Sequence, residues 1–438
     1  MSVADRSNRI GLRALRRLAG MDALDRLGLR PAAERAIYRA SRDGFRGAAA
    51  ASRTFSSVSK RARPVRPGGT GRRDLFELTP EDDQQMMRDA MREFATGELR
   101  PAAPDADAAC AAPDELLAQS AELGLGTLGV PEELGGSAGE RSAVTGVLIA
   151  EALAHGDMGL AAAALAPGAV GTALALWGDA DQQATYLPAL VGEDAPAAAL
   201  ALLEARPAFD PFALETAARS ADGGYVLSGV KSLVPRAASA ELFLVAARRE
   251  EHGPGLFLVE SGTAGVGVEA EPAMGVRAAA TGRLELHEVA VPANALLAEG
   301  DPAVYAEAVR RARLGWCALA VGTAQAVLDY VIPYVNERKA FGEPISNRQA
   351  VAFEVADIAI ELEGMRLATW RAASRADQEL DFAREAGLSR VLCASKGMEI
   401  GSAGVQLLGG HGYVKEHPVE RWYRDLRAAG VMEGALLV

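Results

Sequence analysis

The spacing of apolar residues changes twice along this chain, and the two changes restrict what it can fold into. Up to about residue 195, and again beyond about 298, apolar side chains recur every three or four residues, the period of an amphipathic helix. Between them lie "GGYVLSGVKSLV", "AELFLVAAR", "GPGLFLVE", "GVGVEAE" and "TGRLELHEVAVP". These are short β-type runs separated by glycine-containing turns, the pattern of a small barrel or sandwich. The expected class is α+β, mainly α, with an N-terminal helical domain over 74–195, a β domain over 196–298 and a C-terminal helical bundle over 299–438.

Within this frame "TPEDDQQMMRDAMREFA" predicts a helix with Thr79 as N-cap and Pro80 in the first turn. The long periodic segments after Pro302, and those at 346–377 and 384–408, predict antiparallel helices packed side by side. "MGLAAAALAPGAVGTALALW" (158–177) carries no charge over 20 residues. It is built from Ala and Gly with Pro167 at its centre, so its transfer energy into lipid is weak, and buried helices broken at the proline are expected. "GLGTLG" (124–129) follows a helical segment and runs into Val-Pro, without the strand before it that a dinucleotide fingerprint needs.

Charge separates the ends of the chain. Residues 1–73 hold 18 Lys/Arg against 5 Asp/Glu, and the rest hold 28 against 53. The acidic body excludes a nucleic-acid binder, which needs concentrated cations. The basic extension suits an organelle address, an anionic membrane surface or a cover for a partner, and its Pro/Gly-rich second half reads as a flexible linker. Cys110, Cys317 and Cys393 form no CxxC pair and are expected as reduced thiols, and the five histidines show no metal-binding spacing.

Three stretches carry candidate chemistry. In "VMEGALLV" (431–438) Glu433 stands alone among apolar residues, and burial would make it a candidate base. "QLLGGHGY" (406–413) places Gln406 one turn before Gly409 and Gly410, where a bare backbone lets another group approach closely. "ERKAFGEPISNRQA" (337–350) brings Arg338, Phe341 and Gln349 around a turn, a cation and an aromatic face suited to a phosphate and a flat ring. Each alone also reads as a helix end or surface turn.

Together with "PEELGG", "YLPALVGE", "GGYVLSGVKS", "EVAVP" and "VERWYRDLR", these stretches resemble the acyl-CoA dehydrogenase family from about Asp74 to the end. The resemblance implies a helical domain, a middle β-barrel and a four-helix bundle, in a dimer or dimer of dimers binding FAD. It also implies conversion of an acyl-CoA thioester to a trans-2-enoyl-CoA, with electrons passing to an electron-transfer flavoprotein. Glu433 falls where the family's "EGT" motif carries the base, while the alternative base position on a helix holds Ala312. Arg338, Phe341, Gln349, Gln406, Gly409 and Gly410 match positions that hold the FAD diphosphate and adenosine, largely those of a neighbouring subunit.

The resemblance breaks at the flavin ring. "LEARPAFD" (203–210) stands for the family's "TEPGAGSD", "KSLVP" (231–235) for a "KMWIT"-like stretch, and Ala435 for the threonine of "EGT". Leu203, Leu233 and Pro235 remove two hydroxyls, an aromatic ring and a backbone donor. Two functions follow as expectations: an FAD-dependent dehydrogenase with Glu433 as base, or a non-catalytic subunit lending FAD contacts in trans to an intact partner. A bacterial cytoplasm or a mitochondrial matrix is the expected compartment, without a membrane-spanning segment.

Overall fold

The computed structural model describes residues 79–136, 141–192 and 195–438, and the expectations for residues 1–73 lie outside them. The first helix, α1 (Asp82–Phe94), begins two residues later than Thr79 and Pro80 suggest. Glu81 has the extended backbone of a cap, and its N–H donates to Gln84 Oε1 at 3.1 Å, so the acidic residue rather than the threonine ends the helix. A π-helical stretch, Ala95–Leu99, leads into α2 (Arg100–Ala109), followed by α3 (Asp114–Glu122), α4 (Ala143–Ala154), α5 (Met158–Leu165), α6 (Gly168–Trp177) and α7 (Ala180–Leu190). Helices α5 and α6 are the two halves of the uncharged stretch, bent by 46° at the break that holds Pro167, and both are almost wholly buried.

The middle domain is a sheet of β1 (Ala197–Ala201), β2 (Ala217–Ala221), β3 (Gly224–Val234), β4 (Ala240–Arg249), β5 (Gly253–Glu260), β6 (Val266–Ala270) and β7 (Gly282–Pro292). The five quoted β-type runs are β3 to β7. Strands β1 and β2 are additional: their sequences, AAALA and AARSA, are helix formers by propensity. They are extended because of their pairing: β1 runs parallel to β4 through Ala197–Ala201, and β2 pairs antiparallel with β3 along its whole length and parallel with β4 at Ala217 and Ala218. Strand β4 explains why it reads as a nearly continuous apolar run. Leu242, Leu244 and Ala246 pack with α6, α7 and the next helix, while Phe243, Val245 and Ala247 fill the opposite face of the sheet.

The C-terminal domain holds α8 (Pro302–Glu337), α9 (Gln349–Asp377) and α10 (Ala383–Leu408), closed by the short α11 (Val419–Asp425) and α12 (Ala428–Val431). By length and composition α8 could cross a membrane, yet 67% of its most apolar window is buried inside the protein. It packs closely on α4: a Cβ on Gly322 would lie 2.0 Å from the Glu151 carbonyl oxygen.

His155, which caps α4, ties the two helical domains. Its Nδ1 accepts from Arg100 Nη2 at 2.9 Å and its Nε2 faces Asp329 Oδ2 at 3.0 Å, an arrangement that suits the neutral ring. Burial lowers its pKa to about 4, although the hydrogen bond to Asp329 works to raise it. Because the folded value lies below the unfolded one near 6.5, the stability contribution is complete above pH 6.5 and is lost as pH falls toward 4. We expect the urea midpoint of the wild type to decline across that window by the equivalent of at most about 3 kcal/mol, and His155→Gln to flatten that part of the profile.

Candidate active site

Glu433 follows α12 directly, where the chain turns from the bundle toward the sheet. Gly434 (φ +78°) makes that turn, forming an isolated antiparallel bridge with Ala201 of β1, while its carbonyl accepts from Trp316 Nε1 at 2.9 Å. The backbone on either side is therefore anchored to β1 and to α8, which places the carboxylate at the junction of the middle and C-terminal domains. Its side chain is only 5% exposed.

Two arginines occupy the carboxylate. Arg313 of α8 donates from Nε to both oxygens at 2.9 Å and from Nη2 to Oε1 at 2.7 Å, and Arg390 of α10 donates from Nη2 to Oε1 at 3.3 Å. Oε1 thus accepts three hydrogen bonds and Oε2 one. Burial works to lower the pKa of both arginines. For Arg313 the hydrogen bonds and charge of Glu433 outweigh it and raise the value, while for Arg390 burial prevails. In the sequence Arg390 stands in the mostly apolar "LSRVLCAS", while Arg313 closes the cationic stretch "RRAR" (310–313) and nothing local marks it as a partner of Glu433. Cys317 and Cys393 are buried in this layer as free thiols, as their spacing suggests.

The loop "LEARPAFD" lies between β1 and β2 and is held by its own substituted residues. Arg206 stacks on Phe209 with 5.5 Å to the ring centroid and hydrogen-bonds the carbonyls of Asp210 and Ala213. Tyr305, buried on α8, donates its hydroxyl to the Pro211 carbonyl and meets the Phe212 ring edge-on. Burial raises the Tyr305 pKa, and the Glu204 and Glu433 carboxylates raise it further, so this phenol lies within the field of both acids. Beneath the loop, Glu204 accepts from Lys231 Nζ at 2.8 Å and from the backbone of Glu215 and Thr216. Leu203 is buried and contributes its carbonyl to Ser232 N. Leu233 adopts a left-handed backbone (φ +50°), with its N–H bound to Glu271. The side chains at 203, 233 and 235 offer apolar contact and no donor.

The other sequence-predicted residues gather elsewhere. Tyr334 Oη donates to the Leu408 carbonyl at 3.3 Å, pinning the ends of α8 and α10 together. Arg338 caps α8 four residues beyond Tyr334, and Gly409 and Gly410 follow Leu408 directly. A hairpin of β8 (Lys339–Ala340) and β9 (Glu343–Pro344), with Ile345 N bonded to the Arg338 carbonyl, brings the start of α9 and Gln349 to the same end. Among the described residues no ion pair or hydrogen bond holds the Arg338 side chain, Phe341 is 95% exposed with the Arg348 guanidinium 5.1 Å from its ring centroid, and a Cβ on Gly410 would meet nothing within 4 Å. Arg338, Phe341, Gln349, Gln406, Gly409 and Gly410 therefore form an open patch with a free cation, an aromatic face and bare backbone.

Glu433 is not part of that patch. Its partner Arg313 precedes Arg338 by 25 positions of α8, about 37 Å of helix. Within a single chain the patch and the glutamate therefore stand too far apart to meet around one dinucleotide.

Comparison with known proteins agrees along the whole described chain. The acyl-CoA dehydrogenase N-terminal, middle and C-terminal domain families match residues 81–194, 199–289 and 303–436. The bovine mitochondrial short-chain specific acyl-CoA dehydrogenase is 33% identical over 364 residues, 81% of this chain and 87% of its own length. A probable acyl-CoA dehydrogenase of Bacillus subtilis is 34% identical over 82% of this chain and 96% of its own. The structure of butyryl-CoA dehydrogenase from Megasphaera elsdenii superposes with a TM-score of 0.74 at 27% identity, covering 81% of this chain and 95% of that one.

Proposed function

Since the chain belongs to the acyl-CoA dehydrogenase family, FAD-dependent oxidoreductases, we propose that it removes two hydrogens from an acyl-CoA thioester to give a trans-2-enoyl-CoA, with Glu433 as base. The observation that carries the reading is the place of Glu433: an acid 5% exposed, fixed through its backbone at the junction of β1 and α8. The carboxylate is shielded from solvent there, and Arg313 and Arg390 hold it in one orientation.

In this reading Glu433 accepts the proton from the carbon next to the thioester carbonyl. Oε2 is the receiving oxygen, because Oε1 is saturated by three donors. Arg313 and Arg390 orient the carboxylate, and the Tyr305 contact with Pro211 keeps the loop over the site. FAD, when bound, supplies the two-electron acceptor for the hydride leaving the adjacent carbon. Arg338, Phe341, Gln349, Gln406, Gly409 and Gly410 fit its diphosphate and adenosine, and their separation from Arg313 by about 37 Å of helix supports their meeting a neighbouring subunit's FAD. Oligomer formation is further supported by Phe353, Ile360 and Leu367, exposed at seven-residue spacing on α9, with Leu388, Val391 and Met398 exposed on α10. Reoxidation by an electron-transfer flavoprotein follows the family.

A second reading has its own observation. Leu203, Leu233 and Pro235 offer a flavin ring no side-chain donor, and Arg206 and Phe209 fill the loop beside them. A subunit that lends FAD contacts to an intact partner needs the exposed patch but not the ring cradle.

Purification with flavin quantitation, followed by anaerobic titration with acyl-CoA thioesters of graded length, separates the two. The enzyme reading expects FAD retained by the chain alone and its visible band bleached by at least one thioester. Stoichiometric FAD that no thioester bleaches would sink that reading, and FAD retained only on mixing with an intact dehydrogenase subunit would establish the second.

A further inference from the structure

Next to the tail that follows Glu433 lies an apolar cavity of about 350 Å³. Met91 of α1, Leu125, Ile149 of α4, Leu165 of α5, and Leu436 and Val438 of the tail provide its walls. An apolar cavity of about 150 Å³ accepts a benzene ring, so this one has room for a chain of about ten carbons. Its size and lining are those of a small-molecule site, apolar with few polar groups.

One of those groups is Arg141, just before α4. Among the described residues it has neither a hydrogen bond nor an ion pair, although acids are near. Asp377 is committed to the Ser142 hydroxyl at 2.7 Å and to the N–H groups of Ala143 and Val144. Glu307 is committed to Arg311, which also donates to the Val438 carbonyl at 2.8 Å. Burial, with Arg311 as a second cause, lowers Arg141 to about 10, so it stays charged at neutral pH. A half-buried guanidinium on the wall of an apolar cavity, near Asp377 and Glu307 but in direct contact with neither, is an arrangement that a bound anion completes.

We propose that this cavity binds an apolar chain terminated by a carboxylate, the chain lying between α1, α4 and the tail and the carboxylate pairing with Arg141. Glu433 does not line the cavity, so binding of a free acid stands apart from the dehydrogenation reading, whereas a thioester ligand rests on it. Its ligand has two possible sources with the same chemistry: a free fatty acid, or the far end of a dicarboxylic acyl thioester.

Isothermal titration of the full chain with octanoate tests the site. The wild type is expected to bind octanoate, Arg141→Gln to weaken it about tenfold or more, and Arg141→Lys to restore much of the loss. 1-Octanol, which fills the cavity without a charge, is expected to bind both variants as it binds the wild type. Since Arg141 has no partner to lose, the variants should melt with the wild type. Equal octanoate affinity in wild type and Arg141→Gln, or no octanoate binding at all, would overturn the proposal. The source is read from suberyl-CoA and octanoyl-CoA: selective weakening of suberyl-CoA in Arg141→Gln assigns the thioester's far end, and weakening of octanoate alone assigns the free acid.

Discussion

Glu433→Gln is expected to lower acyl-CoA-dependent flavin bleaching by about two to four orders of magnitude, the range for a missing general base, with FAD content unchanged. Glutamine keeps the volume and one oxygen for Arg313, so the local packing survives. Glu433→Ala is expected to do more damage, because Arg313 and Arg390 would then face each other across a buried gap without a counter-charge. Stopped-flow absorbance in the flavin band and a thermal melt, run on both variants, distinguish lost chemistry from lost structure. Wild-type bleaching in Glu433→Gln would remove Glu433 from the role of base. The same result in a chain that holds FAD would direct attention to the other titratable groups in the field of this site, Tyr305 and Asp210 among them.

The second large effect concerns stability. Lys231 is fully buried and Glu204 nearly so, with 2.8 Å between Nζ and Oε1. Burial lowers Lys231 to about 8, with Glu204 holding it from falling further. Lys231→Met removes the cation and leaves a buried carboxylate with only the N–H groups of Glu215 and Thr216. Breaking a buried pair on one side costs about 3–5 kcal/mol, read as a lower urea midpoint. Replacing both partners, as Glu204→Gln with Lys231→Met, is expected to recover much of the loss, because no bare charge remains. A single variant as stable as the wild type would show that water reaches Glu204. Since this pair fixes the base of the loop between β1 and β2, the single variant should also loosen the hydrogen bonds of Arg206.

Much of the architecture was legible in the order of residues. The switch from a period near 3.6 to a period of two and back placed β3 to β7 and the long helices, since those elements each bury one or both faces in a regular pattern. Pro167 predicted the break between α5 and α6 because a proline removes a donor and clashes with the preceding turn. Strands β1 and β2 were illegible: AAALA and AARSA have the composition of helices, and only pairing, with β4 for β1 and with β3 and β4 for β2, makes them extended. The start of α1 was displaced because Thr79 and Glu81, two positions apart, could each cap it, and the reciprocal bonds of Glu81 with Gln84 chose Glu81.

The candidate site divides in the same way. Glu433 and the residues around Arg338 and Gly410 stand out in the sequence because a lone acid in an apolar run, or paired glycines after a helix, is a local signal. That Glu433 is gripped by Arg313 and Arg390, that Asp377 and Glu307 lie near Arg141 without pairing with it, and that the Arg338 patch lies some 37 Å of helix from Arg313 are facts about residues far apart in the chain. Local spacing determines which face of an element is apolar. Only the packing of α8 against α4, α10 and β1 decides which charges meet in the space between them, because burial and electrostatic partnership depend on distances that no run of neighbouring residues encodes.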